Sequence, residues 1–256
     1  MIDLPHLPVA LSGLRKLQSL SFMAITDVDG GSCEAIDFYD PNSDYFQDVI
    51  DFITANLPSL RTLILPASQI WNLPVRVFSS LTELDIVDFS ELGGLDLVLH
   101  HTSNLQSLCL RAANDSELYP ILQNNPSALP SLTSLKIITY GHTEHHFQAI
   151  KHFIQGRPLL RKLDLGLLPF DWSAFASILP VIAELEGLKV FGLTMPFPLS
   201  MDECAEFTRH LPDGLEAFRL RMDLADPLLD HGLLSMIVSP PPILLKKKFK
   251  LLITNL

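Results

Sequence analysis

Three apolar residues recur along the chain in the spacing L-x-x-L-x-L, with mostly polar residues between them. The frame occurs eight times, and its first positions are Leu17, Leu60, Leu81, Leu105, Leu132, Leu160, Leu188 and Leu215. The intervals between these positions are 43, 21, 24, 27, 28, 28 and 27 residues. A leucine-rich helical chain produces single matches by chance, but five successive intervals of 24 to 28 residues indicate an internal repeat.

Each frame predicts one β-strand with a buried face and a solvent-exposed face. Its last two apolar positions are two residues apart, so both side chains point to the same side of a strand. The residue between them is often polar, as at Asp85, Lys136 and Asp164, whereas a strand covered on both sides would be apolar throughout. The first leucine is expected to close the turn into the strand and to pack beneath it.

Helical patterns lie between the frames. Residues 44–58 and 144–156 carry apolar residues at helical spacing, and Ser200 with Glu203 forms a capping box that opens a third helix. Alternation of strand and helix predicts an α/β fold, namely a right-handed solenoid shaped as a curved horseshoe. Parallel strands would line its concave face and irregular helices its convex face.

Two segments depart from the repeat. Residues 27–43 read as a long acidic loop inserted after the first strand, or as a degenerate extra repeat. Residues 239–256 form a Pro-rich and then basic, apolar tail, in which Phe249 and Leu251 are candidates for one more strand. The predicted organisation is therefore one solenoid over 1–238 with about eight irregular repeats, followed by this tail. Either end is also compatible with a truncated chain.

Composition narrows the classes of function. The chain has 256 residues, of which 48% are hydrophobic and 18% charged, and a net charge of −11. This charge argues against nucleic acid and against an anionic membrane surface as partners. No apolar run is long enough to span a bilayer, the N-terminus lacks a signal peptide, and the three cysteines are scattered. We expect a cytoplasmic or nuclear protein.

The phrases "LPSLRTLIL" at 57–65 and "LPSLTSLKI" at 129–137, together with the 24 to 28 residue period, resemble a known family. They are similar to the leucine-rich repeat region of fungal F-box proteins, which has ribonuclease-inhibitor-like repeats, and the resemblance covers about residues 14–225. It implies the substrate-recognition part of a ubiquitin-ligase receptor. No F-box is recognisable, so a ubiquitin-ligase adaptor is expected as a partner only if an F-box exists outside this chain.

One departure from that family concerns its turns. Leucine-rich repeats often carry Asn or Cys three residues after the last strand leucine, where the side chain bonds the turn backbone. In this chain the position holds Ser68, Phe89, Ala113, Tyr140, Leu168, Pro196 and Asp223. The turns must therefore be tied in another way.

Catalytic and metal chemistry find little support in the motifs. His142, His145, His146 and His152 cluster in one segment, but no further ligand of known spacing accompanies them, so a solvated helix start is the simpler interpretation. Cys109 has no histidine at the neighbouring strand positions that a nucleophile would need. We predict no enzyme activity, no metal and no cofactor.

The solvent-exposed face of the sheet is the candidate binding surface. Its candidate residues are Glu83, Asp85, Cys109, Arg111, Lys136, Lys162, Asp164, Arg219 and Arg221. Their character changes along the repeat from small and acidic to basic, which suits a protein partner of complementary charge. The leading hypothesis is a non-enzymatic interaction scaffold. The alternatives are a repeat-type regulator of a GTPase or another enzyme and, ranked last, a histidine-based metal hydrolase.

Overall fold

Strands and helices alternate along the chain. A computed structural model describes residues 17–21, 59–66, 73–89, 94–112, 118–140, 144–168, 171–195, 199–222 and 250–255. The strands in these ranges are β1 (Ser19–Ser21), β2 (Thr62–Pro66), β3 (Glu83–Phe89), β4 (Ser107–Ala112), β5 (Ser134–Tyr140), β6 (Lys162–Leu168), β7 (Val190–Met195), β8 (Ala217–Met222) and β9 (Lys250–Asn255). The helices are α1 (Val75–Ser80), α2 (Leu95–His101), α3 (Leu118–Asn124), α4 (Glu144–Ile154), α5 (Trp172–Ala176), α6 (Leu179–Ala183) and α7 (Met201–Arg209).

The nine strands form one parallel sheet. Each strand pairs with the next one in the chain, so the order in space is the order in sequence from β1 to β9. Every connection between β2 and β8 passes through at least one helix before it reaches the neighbouring strand. This arrangement is an α/β fold of solenoid type, in which each repeat contacts its sequence neighbours. The predicted alternation of parallel strands and helices is confirmed.

The register of the sheet places the apolar frame in continuous buried rows. Leu63 lies beside Leu84, Leu84 beside Leu108, and the row continues across the sheet. The members of this row are Leu63, Leu84, Leu108, Leu135, Leu163, Phe191 and Phe218, and each is at most 5% exposed. The first and third frame positions are buried in the same way from Leu60 to Leu220. The frame therefore marks the core, as predicted.

Two of the predicted helices are confirmed. Helix α4 buries the apolar residues of its pattern, including Phe147, Ile150 and Phe153. Helix α7 begins with the predicted capping box, in which the Glu203 N–H donates to Ser200 Oγ and the Ser200 N–H donates to Glu203 Oε2, at 3.3 and 2.7 Å. The remaining predicted helix, over 44–58, lies outside the described residues, and so does the acidic loop over 27–43.

Backbone hydrogen bonds tie the turns that lead into the strands. The N–H groups of Thr82 and Glu83 both donate to the Arg61 carbonyl, at 2.8 and 2.9 Å. The N–H groups of Gln106 and Ser107 bond the Thr82 carbonyl in the same way, and the pattern repeats as far as β8. A shared main-chain acceptor satisfies two donors per repeat at this edge, whatever the side chains are. The asparagine position of related repeats falls in the turns that follow the strands, and these lie mostly outside the described residues.

A buried arginine adds a side-chain tie between two repeats. The Arg157 guanidinium donates to the carbonyls of Phe153, Leu129, Pro126 and Ala128, the last three at 3.1, 2.9 and 2.8 Å. It also lies 4.0 Å from the centre of the Phe153 ring, a cation–π contact. Burial lowers the pKa of Arg157 to about 10, so it remains charged at neutral pH. This side chain joins the end of α4 to the turn that follows α3.

The tail supplies a strand, in a register different from the expected one. Strand β9 pairs with β8, and Leu251 and Ile253 lie beside Phe218 and Leu220. The paired residues are two positions later than Phe249 and Leu251, which the frame suggests. The strand suggested for the tail is thus present, and its pairing differs from the suggested pairing by two residues.

Candidate binding face

The nine candidate residues all lie on one face of the sheet. We call this the outward face: the face carrying the residues that alternate with the buried frame along each strand. Strand β3 contributes Glu83 and Asp85, β4 Cys109 and Arg111, β5 Lys136, β6 Lys162 and Asp164, and β8 Arg219 and Arg221. Each of these side chains is half-buried or exposed. The structure thus brings the predicted set together on one surface, and its role in binding stays a prediction.

The middle row of the outward face follows directly from the strand register. Asp85 lies beside Cys109, Cys109 beside Lys136, and Lys136 beside Asp164. Cys109 thus lies between an acid on the preceding strand and a cation on the next. Neighbouring strands are about 4.8 Å apart, so the residues of this row are immediate neighbours on the surface.

One ion pair links β3 and β4. Arg111 Nη2 donates to Asp85 Oδ2, and the Asp85 side chain is only 17% exposed. The other carboxylate oxygen, Oδ1, is buried and has no hydrogen-bond partner among the described residues. On the same strand, Glu83 Oε2 accepts a hydrogen bond from Thr62 at 3.2 Å. The acidic half of the outward face is therefore partly neutralised from within.

A second ion pair spans a whole strand. Arg221 Nη1 on β8 lies 3.3 Å from Asp164 Oδ2 on β6, and both side chains are less than a quarter exposed. Strand β7 runs between them and places Gly192 beside Asp164 and beside Arg219. A Cβ at Gly192 would lie 2.7 Å from both Cγ and Oδ1 of Asp164. Because Gly192 has no side chain, the Asp164 carboxylate can extend across β7 toward Arg221.

We expect Gly192→Ala to disrupt this pair, at a cost of about 1 kcal/mol in the free energy of unfolding. The added methyl group displaces the Asp164 carboxylate from its position over β7. In a chain that already carries Asp164→Ala, the same change should be neutral or slightly stabilising, because alanine suits a strand better than glycine. Urea denaturation of the four chains in this double-mutant cycle measures the coupling. Equal costs of Gly192→Ala in both backgrounds would show that the glycine serves another purpose.

Three cations of the outward face remain unpaired. Within the described part of the chain, Lys136, Lys162 and Arg219 have no ion-pair partner, since the nearby Asp164 carboxylate bonds Arg221. Lys162 and Arg219 are exposed and Lys136 is half-buried. The sequence showed that the basic residues gather here, but it did not show which of them are already neutralised.

The environment of Cys109 opposes nucleophilic chemistry. Burial raises the pKa of its thiol to about 11, and the charge of Asp85 acts in the same direction, while a hydrogen bond with Arg111 opposes them. A thiolate is the reactive form of cysteine, and this site disfavours it at neutral pH. Cys109 is therefore mostly a neutral thiol at neutral pH, and its lack of a catalytic role stays a prediction.

Alkylation of Cys109 by iodoacetamide should therefore be slow. At pH 8 we expect its rate in the folded chain to be about 100-fold below that in the chain unfolded in urea, because the thiolate fraction falls tenfold per unit of pKa. The folded rate should rise with pH up to about pH 11. Peptide mass spectrometry separates Cys109 from the other two cysteines. A rate that levels off below pH 9 would contradict the raised pKa.

The histidines do not assemble a metal site in the described residues. The His146 ring stacks on Tyr119 with 3.8 Å between ring centres and 6° between planes, and His152 is exposed. Tyr119 in turn lies 2.8 Å from the Thr139 hydroxyl. No group of three or more metal-ligating side chains occurs in the part of the chain searched. His146 thus packs on Tyr119 in the first turn of α4. His142 lies outside the described residues, so the solvated helix start stays a prediction.

Comparison with known proteins adds no family to these observations. No protein-family model matches the chain, and no curated protein matches it in sequence. Across the described ranges, the helices are too short or too polar to cross a membrane. The fold itself defines the class of the protein at the level shown above, an α/β chain with one all-parallel sheet of solenoid type.

Proposed function

We propose that this chain is a leucine-rich repeat protein that binds another protein on its outward face. The observation that carries the proposal is the register of the sheet, which buries the leucine frame in continuous rows and leaves one polar face that no described helix covers. A regular repeat fixes the backbone on which the outward side chains stand. Specificity can then come from those side chains alone, since the repeat core tolerates their replacement.

The charges of the outward face support recognition rather than catalysis. Asp85 and Asp164 each hold an arginine through an ion pair, and such pairs orient side chains before a partner arrives. Preorganised polar groups lower the ordering cost of association and reject partners of the wrong charge. The described residues of this face show no nucleophile with an adjacent base. We infer a binding surface whose pattern of charge selects the partner.

The resemblance to F-box proteins makes this proposal more specific. As the substrate-reading part of a ubiquitin-ligase receptor, the chain would hold its substrate on the outward face, and an F-box elsewhere in the protein would contact the ligase adaptor. This part of the proposal rests on the sequence resemblance. The outward face itself is sufficient for the wider function of a protein-binding scaffold.

Affinity capture with quantitative mass spectrometry tests the proposal. The first bait is the unchanged chain, and the second reverses four outward charges through Glu83→Lys, Lys136→Glu, Lys162→Glu and Arg219→Glu. A matched control bait reverses four charges on the helices through Asp96→Lys, Arg76→Glu, Lys151→Glu and Arg209→Glu. Circular dichroism and urea denaturation establish that all three chains are folded.

We expect a set of proteins that the outward-face variant loses and the helix variant keeps. Ubiquitin-ligase adaptors that stay bound to both variants would support the receptor form of the proposal, provided that the bait contains the whole protein. If the helix variant loses the same partners as the outward-face variant, the outward face is not the binding surface.

A further inference from the structure

We propose that the basic half of the outward face binds an acidic, extended segment of the partner protein. The site is a basic patch formed by Lys136 on β5, Lys162 on β6 and Arg219 on β8. The proposal rests on the protein-binding function proposed above and adds the chemistry of the segment that is bound. Its argument comes from the pairing, the spacing and the surroundings of these three cations.

The pairing of charges singles out this patch. The chain carries a net charge of −11, yet the three side chains have no ion-pair partner among the described residues. The nearest acid on this face, Asp164, is held by Arg221 across β7. The arrangement therefore leaves three positive charges close together on a protein that is acidic elsewhere. A partner that supplies carboxylates would complete the charge pairing that the rest of the face makes internally.

The spacing of the patch fits an extended peptide. Lys136 and Arg219 are at the same level on strands three places apart, so their Cα atoms are about 14 Å from each other. Lys162 is two residues lower on β6, about 8 Å from Lys136 and about 12 Å from Arg219. Alternate side chains of an extended peptide point the same way at intervals of about 7 Å. Acidic residues at alternate positions would thus reach successive cations of the patch.

The floor of the patch leaves room for a bound backbone. Between Lys162 and Arg219 the sheet carries Val190 and Ala217 in the lower row, below Gly192, over which the Asp164 carboxylate lies. Val190 and Ala217 are half-buried, and their small side chains do not rise between the cations. A peptide crossing the strands can approach the sheet here. The long lysine and arginine side chains can then bend over it from both sides.

The surroundings favour a protein over a nucleic acid. Proteins that bind single-stranded nucleic acid combine a basic groove with aromatic side chains on which the bases stack. The outward positions next to the three cations, namely Ser134, Ile138, Val190, Gly192 and Ala217, hold no aromatic residue. A long polyanion would also be repelled by the negative charge of the whole chain. A short acidic segment meets the patch without either difficulty.

Fluorescence anisotropy of a labelled peptide tests this inference directly. The probe is a Glu-Ser repeat peptide, and the comparison probes are a Gln-Ser repeat peptide and a single-stranded oligonucleotide of equal charge. The patch variant carries Lys136→Gln, Lys162→Gln and Arg219→Gln. Its control carries Arg76→Gln, Lys151→Gln and Arg209→Gln on the helices, and so loses the same number of positive charges at other positions.

The expected result is binding of the Glu-Ser peptide that is at least about tenfold weaker in the patch variant and unchanged in the helix control. Added salt should weaken it, because exposed charges are screened. Equal binding of the Gln-Ser peptide, equal loss in both variants, or preference for the oligonucleotide would overturn the inference. So would absence of binding by the unchanged chain.

The same variants separate this inference from the wider proposal. The patch variant also serves as a bait in the affinity capture described above. If it keeps the partners that the four-charge reversal loses, the outward face binds protein without using the basic patch. In that case the proposed function stands and the acidic segment is rejected. Loss of those partners from the patch variant supports both.

Discussion

Replacing Leu135 with alanine is expected to lower the free energy of unfolding by about 2–5 kcal/mol. Leu135 is 1% exposed and lies between Leu108 and Leu163 in the row formed by the second frame position. Removal of its side chain leaves a cavity between two stacked repeats. The backbone on either side is held by strand pairing, so the cavity cannot readily close. Urea denaturation followed by far-ultraviolet circular dichroism measures the change.

The neighbouring residue provides the control. Lys136 is adjacent in sequence, but it points to the outward face and has no ion-pair partner within the described ranges. Lys136→Ala should change the free energy of unfolding by less than about 0.5 kcal/mol. Comparable losses for both substitutions would show that the strand does not alternate as described, and the assignment of the outward face would then be wrong.

A second large effect is expected at Gly187, in the turn before β7. A Cβ there would lie 2.5 Å from the Pro158 carbonyl oxygen and 3.3 Å from that of Leu160, both in the turn of the preceding repeat. These are backbone atoms, so they cannot rotate away as a flexible side chain would. We expect Gly187→Ala to cost about 2–4 kcal/mol in the free energy of unfolding, since the two turns must separate.

The equivalent glycine of the next repeat supplies a matched control. Gly214 stands one position before Leu215, as Gly187 stands before Leu188. A Cβ at Gly214 would meet only the Glu186 carbonyl oxygen, at 3.5 Å, and the end of the Lys189 side chain. Gly214→Ala should be neutral or stabilise by up to about 1 kcal/mol, because alanine restricts the unfolded chain. If both glycines behave alike under urea denaturation, close stacking of the turns is not the cause.

The two glycines also show where prediction from sequence stops. Each precedes a frame leucine after an acidic residue, and nothing in their local sequence distinguishes them. The difference arises from how closely two successive turns approach, which depends on the preceding repeat. Gly192 is similar, because a glycine inside a strand suggests a close approach but does not name the carboxylate that fills the space.

Arg157 is a further residue whose role depends on tertiary structure. The sequence places it between Gly156 and Pro158 in a helix-terminating phrase, which suggests an exposed loop residue. In the fold it is only 9% exposed and donates to carbonyls that lie about 28 residues earlier in the chain. Those acceptors come into reach only when two repeats stack. A pattern confined to one repeat therefore cannot reveal the bond.

The sequence by itself determined the strands from β1 to β8, their inward and outward residues, and the helices α4 and α7. It could do so because strand alternation and helix periodicity are local patterns, and the same patterns recur in each repeat. Tertiary structure alone decided which outward charges pair, which glycines lie close to a neighbouring repeat and which cations remain unpaired. Those outcomes depend on the distances of about 5 Å between neighbouring repeats. The packing of the buried leucines sets these distances, and they cannot be seen in the sequence of a single repeat.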